Sequence, residues 1–147
     1  MPILDHTRLS HVTVVVRDQE EALQWYCQIL GFEKRMDDAR WPTGRLLTVS
    51  PPGQRDLQIM LQAPNMDYHG PERAEHLAAS VGKGPMLVLT TPDCRAAHWK
   101  LVAAGVRFWS EPSELPWGVS AVFEDLYGNP FYLLQPAPEP PLAADEV

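Results

Sequence analysis

His11 opens the run HVTVVVR and is the side chain best suited to acid or base chemistry, since a neutral imidazole both gives and takes a proton near physiological pH. Strand periodicity places it on one face with Thr13 and Val15. No spacing ties a second group to it, so an ordinary hydrogen-bonded strand histidine is the competing reading. Trp41 in WPTG and Trp117 in PWG stand in turns rich in proline and glycine. Such rings either stack on a planar ligand or pack on their own loops. Arg45 is a candidate partner for an anionic ligand, against a plain solvated charge. His69, His76 and His98 share no periodicity with His11 and are expected on the surface. Cys27 and Cys94 fall in predicted helices with neither zinc nor disulfide spacing, which leaves free thiols. Cys94 follows Asp93 in a first helical turn, where the helix dipole lowers a thiol pKa; a small residue filling a helix start is the plainer reading.

The elements that must position these residues are legible. Positions 11–16 are rich in β-branched residues and read as a strand. Asp18 with Glu21 three residues on forms a capping-box pattern, Ala22, Leu23, Tyr26, Ile29 and Leu30 recur at helical spacing, and Gly31 ends the helix. Strands are predicted over 32–38, 45–50 and 56–62, the last alternating Leu57, Ile59, Leu61 against Gln58, Met60, Gln62. A short helix is expected over 71–81 with proline in its first turn. From Pro85 the pattern restarts: a strand in MLVLTT, an Asp93 cap, a helix through Ala97, Leu101 and Ala104 stopped by Gly105, then strands over 106–109, 119–124 and 131–135. Asp125, Gly128 and Asn129 form the turn before the last strand and are given a structural role.

Asp18 and Asp93 lie 75 positions apart, and Gly31 and Gly105 lie 74 apart. Aligning DLQIMLQ (56–62) with NPFYLLQ (129–135) sets Ile59 against Tyr132. The chain is therefore read as an α+β domain over 1–136, built from two βαβββ modules (7–63 and 85–136) joined by 64–84, with a disordered tail over 137–147. Each module exposes one sheet face, so the two faces are expected to enclose a shared cleft.

The formal net charge of −7 and the lack of clustered Lys and Arg argue against nucleic acid or an anionic membrane as partner. The first ten residues, MPILDHTRLS, carry no basic start with an apolar core, and no stretch is long and apolar enough to span a bilayer. A soluble, cytoplasmic protein is expected.

The opening HVTVVVRDQEEALQWYCQILGFE, the closing VFEDLYGNPFYLLQP and the repeat relating them resemble the vicinal oxygen chelate superfamily, over about residues 7 to 136. That superfamily includes glyoxalase I, extradiol dioxygenases and bleomycin-resistance proteins. In its metal-dependent members the resemblance implies ligands at a first-strand His, the equivalent strand of the second half, and a Glu on the last strand. Here those positions are His11, Met86 and Tyr132, with Ile59 as the first-half equivalent of the last. One imidazole with a thioether and a phenol is a poor set for a hard divalent cation. The reading is thus a small-molecule-binding member without a catalytic metal or other cofactor, taking an aromatic or apolar ligand near His11, Thr13, Arg45, Ile59, Met86, Trp117 and Tyr132. The resemblance also implies a homodimer. Two rivals remain: a glyoxalase-like lyase, isomerase or dioxygenase relative whose divalent metal is held by a shifted set including His11, and a non-catalytic interaction module.

Overall fold

The structure, a computed structural model of the chain, describes residues 3–40 and 44–138. Trp41 and nearly all of the 137–147 tail lie outside the described residues. The chain divides between Val81 and Gly82 into two compact units. Each is a strand-helix-strand-strand-strand module, so the class is α+β, with the glyoxalase-like tandem that the repeat implies.

In the first unit β1 (His11–Val15), α1 (Gln19–Gln28), β2 (Glu33–Asp38), β3 (Leu46–Ser50) and β4 (Gln58–Gln62) make a sheet ordered β1-β4-β3-β2. β1 runs parallel to β4, and the other pairs are antiparallel. α1 starts where the sequence predicts, because Asp18 Oδ1 accepts from the Glu21 amide at 2.9 Å and satisfies one of its unpaired first-turn donors. Its buried residues Ala22, Leu23 and Tyr26 pack on β2, β3 and β4. Val14, Leu47, Val49, Ile59 and Leu61 are buried by alternation of the strands. Each such side chain contributes about 1.5–3 kcal/mol by leaving water. Two helices follow, α2 (Met66–His69) and α3 (Pro71–Ser80). The second was expected. The first is a single turn, too short to show a periodic apolar face, and Asn65 caps it by accepting from the Tyr68 amide.

In the second unit β5 (Leu87–Thr90), α4 (Cys94–Ala103), β6 (Ser113–Leu115), β7 (Gly118–Glu124) and β8 (Pro130–Pro136) form a sheet ordered β5-β8-β7-β6. Asp93 caps α4 as Asp18 caps α1, accepting from the Ala96 amide at 3.0 Å. α4 packs on β7 and β8, whose buried face holds Ala121, Phe123, Phe131 and Leu133. The Phe123 and Phe131 rings are stacked, with centroids 5.3 Å apart. One expectation is corrected here. The strand predicted over 106–109 shrinks to a bridge between Phe108 and Phe123, and Ser113–Leu115 takes the edge position. Phe108 instead packs its ring between His98 and Phe123, and Pro112, lacking an amide hydrogen, separates the bridge from the true strand. At Cys94 the plainer reading holds: the thiol is fully buried, 3.7 Å from the Leu133 carbonyl, and desolvation pushes its pKa up against a smaller lowering by Arg95.

The turn before β8 is structural, as expected. Asp125 accepts from the amides of Tyr127 and Asn129 and from Asn129 Nδ2, and Asn129 Oδ1 accepts from the Gly84 amide. No helix among the described residues is long and apolar enough to cross a membrane.

Candidate functional site

The face of the first sheet turned away from α1 carries His11 and Thr13, both exposed, in register with Gln58 and Met60. His11 Nδ1 lies 2.8 Å from Ser10 Oγ. Ile59 does not belong to this face. It is paired with Val12, is 4% exposed, and sits with Leu61 among the residues beneath α1. The reason is register: Thr13 stands beside Met60, and Val88, 75 positions further on, stands beside Tyr132. Met60 is therefore the counterpart of Tyr132. The sequence alignment slipped by one residue, and in a strand a slip of one exchanges the faces.

Arg45 is not available to an anionic ligand. Its Nε and Nη2 donate to the two carboxylate oxygens of Asp37 at 2.7 and 2.8 Å, and Nη1 lies 3.0 Å from Glu20 Oε1. This pairing holds the Asp37 carboxyl down at about 2, chiefly through the Arg45 hydrogen bonds. A carboxyl with a lowered folded pKa stabilises above its unfolded pKa, and the contribution is lost as pH falls through the folded value. Asp37→Asn should therefore cost about 1 kcal/mol at neutral pH after allowance for solvent screening. The difference from the parent protein should shrink between about pH 4 and pH 2. Denaturant melts of both proteins across that range measure it.

On the second sheet, the face away from α4 carries Val88, Val122, Tyr132 and Leu134. Met86 stands one residue ahead of β5, in step with Val88, and is exposed. Trp117 precedes β7 and donates from Nε1 to the Tyr132 hydroxyl at 2.8 Å. That oxygen keeps its own proton to donate elsewhere. Val88 and Trp117 are 58% and 56% exposed, so this face presents apolar and aromatic surface to solvent.

A cavity of about 450 Å³ lies in the first unit, at the end of β4. It runs from Met60 and Gln62 to α2, with Gln19, Asn65 and His69 on its walls and Tyr68 at its rim. Its size is typical of a small-molecule site. Gln19 Nε2 donates to the carbonyls of Arg45 and Leu61, tying α1 to both strands. His69 Nδ1 accepts from the Asn65 amide at 3.1 Å. The neutral ring then carries its proton on Nε2, 3.2 Å from Gln62 Nε2; since two N–H groups cannot bond each other, the Gln62 amide is assigned with its oxygen turned to the ring. His69 is half-buried, not a surface residue, and its ring meets Tyr68 edge-on. The sequence signal for it was local: Asn65 as a cap three residues before Tyr68, following Ala63-Pro64 just after the end of β4.

The metal-ligand positions implied by the resemblance do not fit a hard divalent ion. On its own sheet His11 has Thr13, Gln58 and Met60 as neighbours of the same face, none of them an anion or a second imidazole. On the other sheet the two positions are a thioether, Met86, and a phenol, Tyr132, already engaged by Trp117.

The fold has close parallels. Residues 8–133 match the family model described as Glyoxalase/Bleomycin resistance protein/Dioxygenase superfamily. A protein of Shewanella frigidimarina is 32% identical over 133 residues, covering 86% of this chain and 92% of its own length. The crystal structure of UcmS2 is similar with a TM-score of 0.78 at 37% identity, over 88% of this chain and 98% of that one. The crystal structure of TnmS3, an antibiotic binding protein from Streptomyces sp. CB03234, gives a TM-score of 0.69 at 29% identity, over 90% and 98%. With the repeat, the sheet order and the family model in agreement over nearly the whole length, the chain belongs to the Glyoxalase/Bleomycin resistance protein/Dioxygenase superfamily.

Proposed function

We propose that this protein binds a planar, largely apolar small molecule on the uncovered face of its second sheet, without a catalytic metal. The Trp117–Tyr132 pair carries this reading. A hydrogen bond locks an exposed indole beside a phenol that keeps a free proton, on a face whose exposed apolar members include Met86, Val88 and Leu115. Aromatic stacking with one directed hydrogen bond suits a planar ligand. His11 and Thr13 stand on the corresponding face of the first sheet. The antibiotic-binding neighbour supports a binding role, and the chemistry of the donor set at His11, Met86 and Tyr132 supports the absence of a metal mechanism.

Titrating a panel of planar aromatic compounds while following thermal stability and tryptophan fluorescence tests the reading. At least one compound should raise the melting temperature and quench emission saturably. Trp117→Ala should weaken that compound by about tenfold or more, and Tyr132→Phe by about fivefold. Unchanged affinity in both variants would sink the assignment. So would near-stoichiometric iron, nickel, zinc or manganese in protein purified without chelators, if it were lost in His11→Ala.

A further inference from the structure

The cavity beside α2 has a chemistry of its own. Among the described residues its lining contains no carboxylate, and its guanidinium, that of Arg45, is bound to Asp37 and Glu20. Neither a cation nor an anion would find a counter-charge there. The lining instead holds three side-chain carboxamides with complementary capacity to spare. Gln19 spends both hydrogens of its amide on the Arg45 and Leu61 carbonyls, which leaves Oε1 as an acceptor. Asn65 spends Oδ1 on the Tyr68 amide, which leaves Nδ2 as a donor. Gln62, assigned with its oxygen toward the His69 N–H that the Asn65 amide fixes, has its nitrogen as a second donor. Asn65 reaches its place because residue 44 is glycine: a Cβ there would stand 2.8 Å from Asn65 Nδ2.

We propose that this cavity is a binding subsite for a neutral group that presents a hydrogen-bond donor and an acceptor side by side, such as a carboxamide or lactam edge on a planar ring. The ligand's N–H donates to Gln19 Oε1, and its carbonyl accepts from Asn65 Nδ2 and Gln62 Nε2. Met60 and the Tyr68 ring receive the apolar remainder. The subsite lies within the first unit and does not depend on the Trp117–Tyr132 face.

Benzamide and benzoate differ in charge at nearly constant shape, and titrating each while recording side-chain amide signals by NMR tests the proposal. Benzamide should shift the Gln19, Gln62 and Asn65 amide signals saturably, with a dissociation constant of about 1 mM as expected for a fragment of that size. Benzoate should bind at least about tenfold more weakly, its charge being desolvated without a partner. Asn65→Asp keeps the helix cap and removes the donor, and should weaken benzamide by about fivefold. Trp99→Ala, which removes an exposed indole on α4, should leave benzamide affinity unchanged. Absence of saturable shifts, equal binding of benzoate, or full affinity in Asn65→Asp would overturn the subsite. The shifted amides belong to the first unit and the Trp117–Tyr132 face to the second, so failure of the planar-ligand reading with these shifts intact would leave this proposal standing, and the reverse result would remove this proposal alone.

Discussion

Phe131→Ala should destabilise the protein by about 3–5 kcal/mol, while Tyr132→Ala, one residue along the same strand, should cost about 1 kcal/mol or less and remove ligand affinity instead. Phe131 is fully buried, its ring stacked on Phe123 beneath α4. Truncation there removes both the transfer energy of the ring and its contacts, and leaves a void that a two-layer unit closes only in part. Tyr132 faces the other way, in register with Val88 and Val122, and its hydroxyl accepts from Trp117. Its loss mainly frees an indole at the surface. Denaturant melts of both variants beside ligand titrations measure the contrast. Equal destabilisation of the two would mean that the strand register is wrong, and with it the assignment of faces.

The second large effect is expected at Gly118, where Ala should cost about 2–4 kcal/mol. The residue has φ of 144°, a conformation that side chains rarely adopt, and a Cβ would stand 2.1 Å from the Gln135 carbonyl oxygen and 2.9 Å from the Ala137 nitrogen. Both atoms are backbone, so relief requires the end of β8 to move. The Ala137 amide also donates to the Trp117 carbonyl at 2.8 Å, which ties that end to the indole. Gly118→Ala should therefore lower the melting temperature and weaken planar ligands together. A melting temperature within 1–2 °C of the parent's, about what a change under 0.5 kcal/mol produces, would show that the strand end accommodates the methyl group.

Much of the fold was legible because its signals are local. The aspartate caps, the helical stripes and the 75-residue spacing of Asp18 and Asp93 lie in short windows, and the structure keeps them. His11 and Thr13 share a face for the same reason, since alternation needs no knowledge of the partner strand. Arg45 shows where local reading stops. Whether it meets a ligand or a carboxylate depends on Asp37 across a hairpin and Glu20 on α1, and the chain had to fold to bring both within 3.0 Å. The turn of helix at Met66–His69 escaped notice because four residues show no period, and with it the cavity wall and the fixed tautomer of His69.

By itself the sequence determined the two-module α+β architecture and the family, because repetition, capping and strand alternation are written residue by residue. Only the tertiary structure decided which residues share a surface. Ladder register is a relation between strands far apart in the chain, and a shift of one position moved Ile59 under α1 and put Met60 in the place corresponding to Tyr132. The chemistry of the sites follows from that register and from the pairing of Trp117 with Tyr132, fifteen residues away, which no local pattern announces.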